Sequence, residues 1–409
     1  MSKYSTTLRK GANQSTIKNA NRSLVLEALN SYGTASRTDL ARITGLTKTS
    51  ITNITTELLE QGVICETDPG GGGGGGIGRN PVMLEIAQGS PLALGFSINR
   101  DFGYFSLINL KGDIVREDML FLHDIETAEA FLDGIMALCE KQLSFAKEQK
   151  KRVIGIGIAS IGPIDIRKGE IANPPNSKVL KDIPIVDRIK ERFRLPVVLN
   201  NDMNASALAE KLFGCGKRLT NFVYLGVTNG IGAGVVLDKR LLMGENGFAA
   251  EVGHISIDYK GKPCPCGNVG CLERYAGIPA IEEHAREVAG GQASLLSLIP
   301  SIRWFDIVDA ARKQDKVALA ILDDLTGWLT AGMVAIANAY DPEVIFIGHE
   351  LAVAGDFVVG ELERRINERV FSKGIQKVKV QLSGFADKMY RINGPALLAN
   401  EYFRGNVQI

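Results

Sequence analysis

Apolar positions near the start of the chain fall at helical spacing three times and then at strand spacing twice. Residues 21–32 place Leu24, Val25, Ala28 and Leu29 on one face and stop at Gly33, which predicts an amphipathic helix. Ser36-Arg-Thr-Asp39 has the form of a capping box and opens a short helix through Leu40, Ala41 and Ile43. Thr44-Gly-Leu46 makes a turn, Thr47 caps a third helix running to about Gln61, and Gly62 ends it. Ile51, Ile54 and Leu58 form the buried stripe of that helix. Val63-Ile-Cys-Glu66 and Pro81-Val-Met-Leu-Glu-Ile86 then alternate as strands. Between them lie seven consecutive glycines, 70–76, expected to form a mobile loop tip, and then Gly78-Arg79.

From Pro91 the pattern changes. Strands are predicted at 92–98 and 104–108, a turn at Lys111-Gly112, and a third strand from Asp113. A helix follows at about 127–148, then a buried strand at 153–158 in which Gly155 and Gly157 allow close approach. A further strand at 195–200 leads into a helix beginning near Asn204. The order recurs after Asn221, starting with strands at 222–227 and 232–238, so two similar α/β halves with a cleft between them are expected.

The face of the third helix opposite its buried stripe carries Lys48, Thr49, Thr52, Asn53 and Thr56. Short hydrogen-bonding side chains of this kind can approach base edges in a major groove, and helix, turn, helix, strand, loop, strand is the order of a winged helix-turn-helix. A plain helical hairpin would show the same helix pair. Arg79 on the wing either enters a minor groove or is a solvated linker residue. Charge leans toward the first reading: residues 1–60 hold eight Lys/Arg against four acids, although the whole chain is close to neutral at +1.

Composition adds limits. A chain of 409 residues, 45% hydrophobic and 23% charged, is an ordinary globular protein of two or three domains. Its longest apolar runs are too short for a membrane span, and Met1-Ser-Lys-Tyr-Ser lacks the core of a secretory signal, so a cytoplasmic location and no membrane partner are expected. Three of six cysteines cluster, which in such a chain favours metal over disulfides. His254, Cys264, Cys266 and Cys271 supply three thiolates and an imidazole within a short stretch, a full tetrahedral zinc set with no open position, hence structural. The alternative is free cysteines beside a core histidine.

Three other groups carry candidate chemistry. Asn200-Asn201-Asp202 lies at the carboxyl end of an apolar strand, where side chains point into an α/β cleft. Asp202 could accept a hydrogen bond from a sugar hydroxyl, take its proton, or simply cap the next helix. Glu251, His254 and Glu273 suit a polyol, whose hydroxyls both donate and accept, or are individually solvated. Gly226-Val-Thr-Asn-Gly-Ile-Gly-Ala-Gly234 could present backbone N–H groups to a phosphate or make a tight hairpin.

Taken together these segments resemble the ROK family of repressors and sugar kinases. Gly247-Phe-Ala-Ala-Glu-Val-Gly-His254 resembles its Gly-x-x-x-Glu-x-Gly-His segment, and Cys264-Pro-Cys-Gly-Asn-Val-Gly-Cys-Leu-Glu273 matches its cysteine signature. Asn201-Asp202, Asn204 and Gly162-Pro163-Ile-Asp165 match further family segments, and the helix-turn-helix, Asn21-Arg22 and Gly78-Arg-Asn-Pro81 look like the repressor branch. The resemblance implies an actin-like ATPase (RNase H-like) fold of two α/β domains behind the winged helix-turn-helix. It implies domains at 1–87, 88–203 and 204–391, with the last helix, 392–409, packing back on the first α/β domain. It implies sugar contacts from Asn201, Asp202, Glu251, His254 and Glu273, zinc on His254, Cys264, Cys266 and Cys271, operator DNA and a sugar effector as partners, and a dimer or tetramer.

The departures bear on catalysis. Kinases of the family carry Asp-x-Gly-Gly-Thr after the first strand, whereas this chain has Ser97-Ile-Asn-Arg-Asp101. Side chains in place of the glycines would block close backbone approach to phosphate. Asn229 stands where the kinases prefer Thr, and Ile347-Gly-His-Glu350 replaces a glycine-rich nucleotide loop. The expectation is therefore a non-enzymatic, sugar-responsive repressor with no ATP cofactor and Asp202 as a vestigial base. The alternative is an active ATP-dependent sugar kinase with an appended DNA-binding domain.

Overall fold

The computed structural model describes residues 14–67, 81–174 and 179–407. The glycine run 70–76 and Arg79 lie outside the described residues, so the expectations placed on them have no structural counterpart.

The N-terminal unit, or head, begins with α1 (Gln14–Tyr32), β1 (Thr34–Ser36), α2 (Arg37–Thr44) and α3 (Lys48–Glu60), followed by β2 (Ile64–Thr67) and β3 (Met83–Ile86). The capping box is present: Ser36 Oγ accepts from the Asp39 N–H at 3.1 Å and the Asp39 carboxylate accepts from the Ser36 N–H at 3.2 Å. Thr47 Oγ1 caps α3 by accepting from the Ser50 N–H at 3.2 Å. Leu26, Leu40, Ile51, Leu58 and Leu84 close the core of this unit. Two expectations are corrected. Leu24 is exposed and Leu26 is buried in its place, because α1 starts seven residues earlier than expected and presents a second face to the rest of the chain. The wing strands are joined by β1 into a three-stranded antiparallel sheet of order β1-β3-β2.

The body continues with β4 (Leu92–Ile98), β5 (Phe102–Asn109), β6 (Ile114–Phe121), α4 (Ala128–Glu148) and β7 (Val153–Ser160). Two short strands, β8 (Ile164–Asp165) and β9 (Glu170–Ile171), precede α5 (Ile185–Phe193), β10 (Val197–Asn201) and α6 (Asp202–Phe213). The second half is β11 (Phe222–Val227), β12 (Ile231–Leu237), β13 (Arg240–Leu241), α7 (Glu273–Ala276), α8 (Ile278–Ala289), α9 (Trp304–Arg312), α10 (Lys316–Tyr340), β14 (Val344–His349), α11 (Gly355–Arg369), β15 (Lys379–Leu382) and α12 (Asn393–Phe403). The two main sheets repeat one topology. In β10-β7-β4-β5-β6 and β15-β14-β11-β12-β13 the first strand is central, an antiparallel hairpin runs to one edge, and two parallel strands run to the other.

Alternation of large and small residues sets the layers of the first sheet. In β4, Leu92, Leu94, Phe96 and Ile98 join Phe131, Leu132 and Ile135 of α4. The odd positions, Ala93, Gly95 and Ser97, point the other way, because successive strand side chains face opposite sides. There α12 lies almost on the backbone: a Cβ on Gly95 would sit 2.1 Å from Pro395 N, and one on Gly157 2.1 Å from Gly394 O. The close approach expected at Gly157 is thus made by the C-terminal helix.

One helix bears on the expectation about membrane spans. Helix α10 spans 25 residues with a mean hydropathy of 1.4 in its most apolar window, long and apolar enough by those measures to cross a membrane. It packs against α8, α9 and α11, and Ile321, Leu325, Leu329 and Ile336 are buried in the core of the second half.

The head is fastened to the body through α1. The Arg22 guanidinium lies over the Tyr402 ring, 4.4 Å from its centroid, and donates to the Tyr402 hydroxyl. Asn19 Nδ2 donates to Gly405 O at 3.3 Å, and Asn30 Nδ2 to Leu212 O at 2.9 Å. Arg218 Nε donates to Ser31 O at 3.1 Å.

Candidate functional site

Strand β10 ends at Asn201, which keeps extended backbone angles while its side chain turns back to accept from the Met203 N–H at 2.9 Å. Asn201 is therefore the cap of α6, and the helix starts at Asp202 rather than near Asn204. Asp202 Oδ1 accepts from the same N–H at 3.0 Å. Its carboxyl is 7% exposed, and burial, reinforced by the carboxylates of Glu251 and Glu350, pushes its pKa up to about 7 against the opposing pull of the Met203 amide.

The other wall comes from the loop after β13. Glu251 precedes a 3-10 turn, Val252–His254, and its pKa is raised by burial and by Glu273, with His254 opposing. His254 Nδ1 lies 3.5 Å from Glu273 Oε1. Asp202, Glu251, His254 and Glu273 thus form one electrostatically connected group, with Asn201 beside Asp202. A set of acceptors mixed with an amide and an imidazole can bind a polyhydroxy compound, each carboxylate taking a hydroxyl proton in a hydrogen bond.

His254, Cys264, Cys266 and Cys271 are brought together, with their ligand atoms all within 4.8 Å of one another. Tetrahedral zinc with Zn–S bonds of about 2.3 Å separates its ligands by about 3.8 Å. Cys266 Sγ and Cys271 Sγ are 3.7 Å apart, and Cys264 Sγ and His254 Nδ1 are 3.8 Å apart. The donor set and its spacing fit a closed metal site. Gly270 makes the tight fold possible: its φ is +72°, and a Cβ there would meet Asp258 O at 1.8 Å.

A second group of side chains lies close to Asp202. His349, 1% exposed, closes β14 with φ 60° and ψ −146°, a backbone region that is nearly glycine-only. Its Nδ1 lies 2.9 Å from the Tyr224 hydroxyl, and its ring meets Tyr390 edge-on with centroids 4.8 Å apart. Burial pushes the imidazole pKa down to about 3, so the ring is neutral at physiological pH. Asn99 and Glu350 flank the Tyr390 hydroxyl, and Phe102 packs edge-on to the same ring at 5.3 Å.

A profile of the ROK family matches residues 102–401. The chain belongs to the ROK family. It is 31% identical over 380 residues to a putative xylose repressor of Caldicellulosiruptor sp. (strain Rt8B.4), covering 92% of this chain and 94% of the relative. The solved structure of a ROK family transcriptional regulator, a homolog of the E. coli MLC protein, matches with a TM-score of 0.81 and 30% identity, over 95% of this chain and 97% of that one. A ROK family glucokinase from Streptomyces griseus, solved with glucose and AMPPNP, matches with a TM-score of 0.66 and 27% identity. It covers 99% of its own length but 76% of this chain. The expected fold, an actin-like ATPase body behind a winged helix-turn-helix, is the one found.

In this ROK chain the head presents Lys48, Thr49, Thr52, Asn53 and Thr56 together, all exposed on α3. Thr52 Oγ1 donates back to Lys48 O at 2.9 Å, which leaves its lone pairs outward. Sequence reasoning missed Tyr390 and Glu350 in the cleft and the docking role of Arg22. Glu350 and His349 sit in the substituted Ile347-Gly-His-Glu350 loop, but no local signal marks Tyr390, which arrives from a distant 3-10 segment, Ala386–Arg391.

Proposed function

We propose that this chain is a cytoplasmic, sugar-responsive transcriptional repressor that binds a carbohydrate without phosphorylating it. The observation that carries the reading is the continuity of α6, which starts with Asp202 in the cleft and ends against α1 of the head. A sugar gripped at one end of a rigid helix can reposition a DNA reader at the other.

In this reading residues 1–87 read DNA, 88–203 and 204–391 form the two halves of the sugar-binding body, and 392–409 packs back on the first. Asn201, Asp202, Glu251, His254 and Glu273 take the sugar hydroxyls. His254 turns Nδ1 toward Cys264, which leaves Nε2 for a hydroxyl. A structural zinc on His254, Cys264, Cys266 and Cys271 supplies rigidity to the loop that presents Glu251 and Glu273. Helix α3 enters the major groove with Thr49, Thr52, Asn53 and Thr56 at base edges and Lys48 on phosphate, while Arg79 reaches the adjacent minor groove. A homodimer places two heads on one operator. The repressor names of the relatives support this assignment, and xylose, a hexose or an amino sugar is the class of effector.

The absence of phosphoryl transfer is supported by the nucleotide side of the cleft. Asn99 and Arg100 replace glycines, and His349 holds a glycine-like conformation only to place its ring among Tyr224 and Tyr390. That packing supports the reading that this loop does not cradle a phosphate. Asp202 therefore serves as an acceptor for a hydroxyl.

The test uses full-length protein and a duplex selected from a random library. Fluorescence anisotropy is read with and without xylose, glucose and N-acetylglucosamine, beside a coupled assay for ATP consumption with each sugar. One sugar should lower DNA affinity by about 5–150-fold, the range of a coupling of about 1–3 kcal/mol. Sugar-dependent ATP turnover abolished by Asp202→Asn would replace this reading with that of a DNA-binding sugar kinase.

A further inference from the structure

We propose that the cavity between the head and the body is a second effector site, for a small phosphorylated metabolite. The cavity has a volume of about 340 Å³ and is walled by α1 and the end of α2 on one side and by the end of α6, the 217–219 segment, Lys239 and the C-terminal turn on the other. That volume is at the small end of ligand pockets, which run from about 300 to 1,000 Å³.

Its lining is predominantly cationic. Lys211, Lys217, Arg218, Lys239 and Arg404 face it, and Glu27 is the single carboxylate among the lining residues. Arg218 is engaged with the Ser31 carbonyl, and Arg404 is 3.9 Å from Glu401. Among the described residues, the ammonium groups of Lys211, Lys217 and Lys239 make no ion pair and no hydrogen bond. Lys211 is the most constrained. Its pKa is lowered chiefly by burial, and Arg404, Lys239 and Arg240 push in the same direction, with Glu27 opposing.

Cations that share a partly desolvated recess repel one another more strongly than they would in water. The head is held over this recess by Asn30, Ser31 and Arg22, so the repulsion is not relieved by opening. A multiply charged anion reverses the sign of the whole arrangement, taking several charge-assisted hydrogen bonds from ammonium groups that now have none. A phosphate ester meets that need better than a single carboxylate, because its three free oxygens can each accept from a different lysine. The recess lies between the two units and has a volume of only about 340 Å³, which favours a small molecule over operator DNA. A ligand bound there touches α1 and α6 at once, so it acts on the same junction the sugar signal must cross.

The test is isothermal titration calorimetry on the full chain without DNA, using inorganic phosphate, glucose 6-phosphate and fructose 1,6-bisphosphate. The bisphosphate should bind with one site per chain. Lys211→Gln and Lys239→Gln should each weaken it by about tenfold or more, as expected for loss of a hydrogen bond to a charged group. Asp202→Asn should leave it unchanged, which separates this site from the cleft. The regulatory consequence rests on the DNA-binding reading, but the calorimetry does not, so the two can fail independently. The proposal is overturned if none of the three compounds binds, or if binding is lost in Asp202→Asn and kept in both lysine variants. It is overturned equally if no compound binds while the lysine variants weaken DNA affinity, because the cations then serve operator phosphates. Lys239 is exposed on the β12–β13 turn, so its variant folds even if the Lys211 variant does not.

Discussion

Asp202 and Leu212 stand on one helix about 15 Å apart by the rise of an α-helix, the first among the carboxylates of the cleft and the second accepting a hydrogen bond from Asn30 of the head. Helix α6 is packed along its length against α12, β11 and β12, so it moves as a rod rather than bending. Any ligand that shifts its first turn relative to the second sheet shifts its last turn against α1. Transmission of this kind needs two arrangements of a packed element, each favoured by a different ligand.

Asn30→Ala should therefore separate sensing from response. Sugar affinity should stay within about twofold of wild type, and stability should fall by about 1 kcal/mol, the typical worth of one hydrogen bond. The sugar-dependent change in DNA affinity should shrink severalfold. Calorimetry with the sugar and anisotropy with the duplex, both on the full chain, measure the two halves. A variant whose DNA affinity responds to sugar as fully as wild type removes Asn30 from the path.

Asp202 gives a pH signature. Its pKa is about 7 in the folded protein and 3.8 when free, so the folded state binds the proton more tightly than the unfolded state between those values. Stability from this group is fully present below pH 4 and is lost as the pH rises through 7. Asp202→Asn has no proton to lose. In the absence of sugar it should match wild type near pH 3 and exceed it at pH 8 by about 2–4 kcal/mol. Urea unfolding at the two pH values decides it, and parallel behaviour of the two proteins contradicts the buried, carboxylate-crowded environment.

The parts of this architecture that were legible in the sequence are those whose physics is local. Ser36 and Asp39 announce a cap because both partners lie within one turn, and the exposed row from Lys48 to Thr56 follows from helical spacing alone. The four metal-ligand candidates are close in sequence and chemically distinctive. Strand β1 escaped because its three residues pair with β3, whose position no local rule specifies. Leu24 and Leu26 were exchanged because α1 has two packing partners, the head's own core and the body, and the sequence pattern shows only one stripe. The packing of Tyr390 against His349 joins residues far apart along the chain, which no local rule specifies.

The metal cluster should be structural and present at one ion per chain. Cys266→Ser in the full-length protein should lose bound zinc, read by mass spectrometry of the purified protein, and should weaken sugar binding by more than tenfold because Glu251 and Glu273 flank the loop it ties. Metal ligands are conjugate to folding of the loop that holds them. Retention of one zinc per chain by the variant would refute the ligand assignment.

The reading face of α3 makes a last, sharper distinction. Asn53 and Thr52 are exposed and, among the described residues, make no side-chain hydrogen bond to another element, so Asn53→Ala and Thr52→Ala should leave the thermal midpoint unchanged. If they meet base edges, each should cost about 1–3 kcal/mol on the selected duplex and nearly nothing on random DNA. Lys48→Ala should behave differently. A phosphate contact carries no sequence information, so affinity should drop on both duplexes and the dependence on salt should lose about one counterion. Anisotropy on selected and random duplexes at several salt concentrations yields all three numbers. An Asn53 variant that weakens both duplexes equally would place this residue on the backbone and leave the sequence to be read by other side chains of the head.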